Sequence, residues 1–513
     1  MADGGNLSAY MIGRAAAADG QVDVAAASYA KALDAAPANP VIAIRAYREA
    51  LAAGDEPLAA RAAAVLDKAG VAPSDAALLP LAHAARAGDT KAATAALAKL
   101  TKGPLVVLLP SFAGWIAFAG RDDPMPMLDV GAKDPVAARF SAETRALLTI
   151  AGGGSAAGLT ALATRDDLGM KTDLRVAAAQ LLLGQGTDDA ARSLLAGTDP
   201  TFVALREGKG EKPTIAFGVS RLLTRVASDL AGGTVTPLSI ALTRAALIAD
   251  PTYDRSRILL ADALSKTGAN ARALAVLDGI APRSPFANAA LAERVIILSG
   301  AGREAEALAA AKARADDRDA TPYDWQRYAD LLLMADRPAD SLPYYRRVID
   351  KGVEGDGWAA WLQYGGALDQ AGRWPQAREA LEKAVERGPS EPLVLNYLGF
   401  ALIERGEDLG KASKMLARAH ELDPRNASIA DSLGWAYHLT GDTARALPLI
   451  EGAAAEEPAN AEIGEHLGDA YWTIGRRYEA RYAWRAAALT AEAPEAARLA
   501  TKIAQGLPQG AIR

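Results

Sequence analysis

Cysteine is missing from all 513 residues, which removes disulfides, thiolate-held zinc, iron–sulfur clusters and cysteine nucleophiles from consideration. Histidine is scarce too: His83, His420, His438 and His466 are the whole set, without HExxH or any other close metal spacing. There is no excess of positive charge. Lys and Arg number 56 against 62 Asp and Glu, a net charge of −6, so no general basic field exists to grip a phosphate backbone, and nucleic acid is not an expected partner. Two uncharged runs reach membrane-spanning length, Gly103 to Gly120 and Ala146 to Thr164. The first is cut by Pro110 and Gly114 and the second by Gly152-Gly153-Gly154, so both read as buried helices. Ala151-Gly152-Gly153-Gly154-Ser155 lacks the Gly-Lys-Ser/Thr ending of a phosphate loop, and no GxSxG elbow occurs. The expectation is a non-enzyme with no cofactor and no metal. Half the residues are hydrophobic, which excludes disorder and supports a large core.

What is present is a period. Glycines recur at Gly365, Gly399, Gly434 and Gly468, and again at Gly372, Gly406, Gly441 and Gly475, both series stepping by 34, 35 and 34 residues. Ala377, Ala412, Ala446 and Ala480 keep the same phase, as do Ala384, Ala419, Ala453 and Ala487, while Pro389, Pro424 and Pro458 close three units. Each feature suits a pair of antiparallel helices. The first glycine admits a close neighbour, the second turns the chain at φ > 0, the alanines let helix B pack near helix A, and proline stops helix B. The unit between the first and third carries one extra residue in Glu407-Asp408-Leu409-Gly410, assigned to its inter-helix turn. This pattern resembles the tetratricopeptide repeat. Trp361, Tyr364, Leu368 and Leu381 complete one unit, Leu433, Tyr437 and Ile450 another, and Leu467, Tyr471 and Trp484 the last.

The same template fits Pro251, Leu260, Ala261, Gly268, Ala273 and Leu277, then Tyr328, Ala329, Tyr345 and Val348, and at the start Gly13, Gly20, Ala25, Tyr29, Ala32 and Pro37. Between 74 and 250 the signature blurs while apolar helical periodicity persists, as in Leu78 to Leu100 and Leu174 to Leu195. The expected fold is all-α: a tetratricopeptide-type right-handed α-solenoid of about 12–14 antiparallel helix pairs. Its expected segments are 1–73 (N-terminal helix pairs), 74–215 (degenerate repeats), 216–355 (further repeats), 358–494 (four well-formed repeats) and 495–513 (a capping helix and tail). The glycine-rich breaks at Ala151–Gly158 and Glu207–Pro213 read as surface turns or hinges.

In such a stack the A helices line the concave face. The phase of the repeat places Asn396, Phe400, Asp431, Trp435, His438, Glu465, Asp469 and Trp472 there, aromatic groups beside carboxylates, as an expected protein-binding groove. The alternative is that Phe400 and Trp435 pack between helices and that tryptophans at the end form a cap. The lysine, asparagine and arginine set with which some tetratricopeptide co-chaperones clamp an acidic tail is missing. An acidic groove is expected to favour neutral or basic partners.

Leu395-Asn396-Tyr397-Leu398-Gly399-Phe400, Asp431-Ser432-Leu433-Gly434-Trp435-Ala436-Tyr437 and His466-Leu467-Gly468-Asp469-Ala470-Tyr471-Trp472, followed by Gly475-Arg476-Arg477, carry a further likeness. Together they resemble a proteobacterial family of long cell-envelope tetratricopeptide lipoproteins, some of which are adaptors of carboxyl-terminal processing proteases. The resemblance implies a non-catalytic scaffold or adaptor of the cell envelope, periplasmic and tethered to the outer membrane in its native form, with such a protease or a client as partner. The lipoprotein leader and acylated cysteine of that family are not seen in this sequence; the leader is expected to have been removed, and membrane contact is expected only through a lipid anchor of the native form that is absent from this chain. Two alternatives stay open: a cytoplasmic assembly scaffold, and the substrate-recognition arm of a larger enzyme.

Overall fold

The computed structural model describes residues 3–100, 103–130, 133–154, 172–197, 199–233, 237–352 and 357–508, with side chains from Leu7 onward. Among them every regular element is helical, with 29 α-helices in a repeating arrangement. Two compact units result, 1–310 and 311–513.

In the first unit α1 (Asp3–Ala18) pairs with α2 (Val22–Ala35), α3 (Pro40–Ala53) with α4 (Glu56–Lys68), and α5 (Leu78–Ala87) with α6 (Thr90–Leu97). The chain continues through α7 (Leu109–Gly120), α8 (Met125–Asp129) and α9 (Pro135–Ala151), the pair α10 (Thr172–Gly184) and α11 (Asp188–Leu194), and α12 (Pro200–Arg206). Then come the pairs α13 (Ile215–Leu230) with α14 (Pro237–Ala249) and α15 (Asp254–Lys266) with α16 (Asn270–Asp278), followed by α17 (Ala287–Gly300) and by α18 (Glu304–Ala315), within which the first unit ends. Among the described residues no helix is long and apolar enough to cross a membrane. Residues 155–164 of the second uncharged run, and 155–158 of the first glycine-rich break, lie outside the described residues.

A linear stack joins each pair only to its neighbours. The first unit does more: α14 packs on α3 and α5, and α13 on α5 and α7. Arg244 on α14 donates through Nε to Leu51 O at 2.6 Å and through Nη2 to Ala52 O at 2.7 Å, and Arg272 on α16 donates to Ala53 O. These cations sit where the unpaired carbonyls of the α3 C-terminus carry negative partial charge. Further inside, Arg225 meets Glu143 at 3.1 Å, Arg221 meets Asp250 at 2.7 Å and Arg255 meets Asp173 at 2.9 Å, so the buried charges are matched in sign. The 207–213 stretch is more than a surface turn. Glu211 N donates to Gln180 O at 2.8 Å, and a Cβ at Gly210 would lie 1.7 Å from Gly184 N, a backbone approach open only to glycine.

The second unit holds α19 (Pro322–Met334) with α20 (Pro338–Lys351), α21 (Trp358–Gln370) with α22 (Trp374–Arg387), and α23 (Pro392–Glu404) with α24 (Leu409–Leu422). It continues with α25 (Ala427–Leu439) and α26 (Thr443–Glu456), α27 (Ala461–Thr473) and α28 (Arg477–Ala487), and a last helix α29 (Ala493–Gln505). The two glycine series divide the labour as their spacing predicts. A Cβ at Gly365, Gly399, Gly434 or Gly468 would lie 2.7, 2.9, 2.6 or 2.3 Å from Leu381, Leu416, Ile450 or Trp484 of the partner helix. Gly372, Gly406, Gly441 and Gly475 have φ of 71°, 67°, 87° and 85° in the turns, with open space around them. All eight phased alanines are buried at 0–3% exposure. The extra residue of the α23–α24 turn is absorbed at Asp408, which takes φ 45°, while Leu409 and Gly410 already belong to α24.

Candidate partner-binding face

The A-type helices α23, α25 and α27 bring the eight expected residues onto one side of the second unit, but not as an open acidic groove. Asn426 and Asn460 cap α25 and α27 by accepting from Ile429 N at 3.2 Å and Ile463 N at 3.3 Å, which fixes the phase of both helices. At that phase Asp431, His438, Glu465 and Asp469 are buried, and Asn396, Phe400, Trp435 and Trp472 half-buried.

The centre is an aromatic stack. The Trp435 ring lies against His466 at 4.0 Å and 12° and against His438 at 5.1 Å and 21°, with Phe400 beside His466 at 6.3 Å. Trp435 Nε1 donates to Glu404 at 2.7 Å, and His466 Nδ1 meets Asp431 at 2.8 Å. Burial alone would lower the His466 pKa; the Asp431 carboxylate outweighs it and raises it. His438 has no such partner. Burial, with His466 nearby, pulls it down to about 4, so its imidazole is neutral around pH 7.

The remaining acids are claimed by α29, and this corrects the expected acidity of the groove. Arg498 grips Glu465 with Nε and Nη2 at 2.8 and 2.7 Å, and Lys502 lies 2.6 Å from both Glu465 and Asp469. Trp484 Nε1 also donates to Asp469 at 2.9 Å. Burial opposes ionisation of Glu465, yet the two cations hold it below the usual carboxylate range; at Asp469 burial wins and the pKa is raised despite Lys502. The charges cancel because the 498/502 spacing on α29 matches the 465/469 spacing on α27, one helical turn in each case. Trp472 serves the end of the unit: its ring packs on Trp484 at 5.3 Å, carries Arg477 at 3.9 Å and Arg481 at 4.9 Å, and abuts Gly506. Among the described residues no three His, Asp or Glu side chains are placed to hold a metal ion.

Beside the stack lies a cavity of about 450 Å³, bounded by Trp435, His438 and Leu439 on one side and by Thr501, Gln505 and Leu507 on the other. Three atoms on this face are buried and find no hydrogen-bond partner among the described residues: Asn396 Oδ1, Asp431 Oδ1 and His438 Nε2. Sequence reasoning missed the part played by 498–507, although the matching four-residue spacing of its cations and the α27 acids was a readable signal.

The family model described as tetratricopeptide repeat matches residues 358–401. That segment carries a tetratricopeptide repeat. The "TPR repeat-containing protein PA4667" of Pseudomonas aeruginosa is 34% identical over 71 residues, which is 14% of this chain and 12% of that protein. The aligned part is thus a small fraction of the relative's length. Among solved structures, the thermophilic TPR protein TTC0263 of Thermus thermophilus is 23% identical, with 36% of this chain and 98% of that one covered, at a TM-score of 0.32. A chain of the APC/C hetero-tetramer Cut9–Hcn1 is 16% identical over 98% of this chain and 96% of its own length, at a TM-score of 0.40. The matched tetratricopeptide repeat spans α21, α22 and most of α23, so it contains Asn396 and Phe400; the other six expected residues lie on the A helices of the next two pairs.

Proposed function

We propose that the chain is a non-catalytic scaffold of the bacterial cell envelope that holds a partner protein on the α23–α25–α27 face. One observation carries this reading: that face gathers half-buried aromatic rings and three unpartnered polar atoms, one of them on His438, which with Trp435 lines a cavity of about 450 Å³. Aromatic anchors next to unmet hydrogen-bonding atoms are what a protein interface uses for contact area and orientation. The tetratricopeptide repeat at 358–401 supports the interaction role. The envelope location and a processing protease as partner rest on the likeness of 395–400, 431–437 and 466–477 to envelope lipoproteins.

The test places a photo-crosslinking amino acid at exposed Thr501, beside the cavity, and in a second protein at Tyr478, which is 91% exposed on α28. Cells producing each are irradiated, fractionated into envelope and cytosol, and the adducts identified by mass spectrometry. A protease or protease client crosslinked in the envelope from Thr501 and not from Tyr478 is the expected result. Adducts confined to cytosolic proteins would replace the envelope reading with a cytosolic scaffold, and no adduct from Thr501 would remove the face.

A further inference from the structure

The cavity beside Trp435 is specific enough in its chemistry to say what enters it. His438 is 1% exposed and lines the space, yet its Nε2 has no partner among the described residues; its Nδ1 lies 3.3 Å from Thr443 Oγ1. A buried polar atom left unmet destabilises the free state, so an occupant that satisfies it gains affinity. Thr443 can donate to Nδ1 or accept from it, so Nε2 is either a donor or an acceptor. A peptide group, with one N–H and one C=O, meets either tautomer.

Charge narrows the class further. The charged groups of the lining are Asp469, Arg498 and Lys502, and the two cations are already engaged by Asp469 and Glu465. A charged side chain entering here would lose hydration without finding an unpaired counter-charge. Of the uncharged walls, the Trp435 ring, Leu439, Leu507 and Pro508 are apolar, and Thr501 and Gln505 are neutral polar groups.

We propose that this cavity holds an uncharged aliphatic or aromatic side chain of a partner peptide, with one main-chain amide of that peptide hydrogen-bonded to His438 Nε2. The inference rests on the scaffold reading and names the chemistry that the face accepts. Neutral peptides are selected, and basic ones are not, because α29 already supplies the basic groups.

The probes are blocked heptapeptides, acetylated and amidated, with Gly and Ser flanking one central residue: Leu, Phe, Lys, Glu or Ala. Binding to the full chain is followed by ligand-observed NMR with calorimetry. The Leu and Phe peptides are expected to bind, the Lys and Glu peptides about tenfold more weakly or not at all. His438→Phe keeps an aromatic ring against Trp435 and removes Nε2, so it should weaken the Leu peptide about tenfold. Thr501→Trp, at an exposed site on the rim, should fill the space and abolish binding. Melting curves matching the parent confirm that both variants fold. Equal binding of all five peptides, preference for the Lys peptide, parent-like binding by both variants, or no binding to the parent would each overturn the inference. If the crosslinker at Thr501 captures an envelope partner while the peptides fail, the scaffold reading stands and this one falls. If the peptides bind as described and no partner is captured, the reverse holds.

Discussion

Gly468→Ala sets helix propensity against packing. On propensity alone, alanine in the middle of α27 should stabilise the helix by about 1 kcal/mol. The geometry opposes it: the new Cβ would lie 2.3 Å from Cδ1 and Nε1 of Trp484, where ordinary contact begins at 3.4 Å, so the indole would have to retreat by about 1 Å. Trp484 is fully buried and pinned by its bond to Asp469 at 2.9 Å, so it has little room to give. Overpacking of this kind costs about 1–3 kcal/mol, and a strained bond to a charged acceptor about 1.5 more. The net expectation is a loss of about 2–3 kcal/mol, or about 5–10 °C in the melting temperature of a unit of this size. Gly475→Ala, at φ 85° with nothing within 4 Å, isolates the backbone cost and should lose only about 1 kcal/mol. Urea unfolding followed by circular dichroism at 222 nm checks both. A Gly468→Ala protein as stable as the parent, or more stable, would refute the claim that these glycines set the distance between helices A and B.

Three further outcomes are expected. Replacing Lys502 by Met leaves Glu465 and Asp469 buried without the cation they share, so hydrogen exchange across 493–505 should speed up by an amount equivalent to about 3 kcal/mol; unchanged protection would show that α29 docks by apolar contact alone. His438, held near 4 in the folded state against about 6.5 unfolded, adds nothing to the pH dependence above pH 6.5; as pH falls through that window the unfolded chain takes up a proton that the folded chain refuses. The parent should therefore lose about 2 kcal/mol between pH 7.5 and 5 that His438→Phe does not lose, read from urea midpoints, whereas the raised pKa of His466 acts with opposite sign in both proteins and cancels in the comparison. Arg244→Met removes two of the three donors to the α3 C-terminus, leaving that of Arg272, and should cost about 2 kcal/mol, seen as faster exchange in α3 and α4; slow exchange preserved there would mean that the Arg244 carbonyl contacts do not hold α14 against α3.

The amino-acid sequence alone determined the helix pairs of the second unit, because a 34-residue unit writes each constraint at a fixed position: glycine where two helices touch or where φ is positive, alanine where helix B packs. It assigned the eight residues to the A helices, since phase follows from those glycines; in the structure they lie on α23, α25 and α27, two of which are capped by Asn426 and Asn460. Whether each would be exposed was not legible. Glu465 and Asp469 are buried because α29, a separate helix, brings Arg498 and Lys502 across them, and Asp431 because His466 comes from the next repeat. In the first unit the blurred signature at 74–250 still showed helices, but the packing of α14 on α3 joins groups 193 and 192 residues apart, as in Arg244 with Leu51 and Ala52. Periodicity is a local signal and reports which face of a helix is apolar. What covers that face, and which charges meet there, depends on distant chain brought into contact, and that the tertiary structure alone decided.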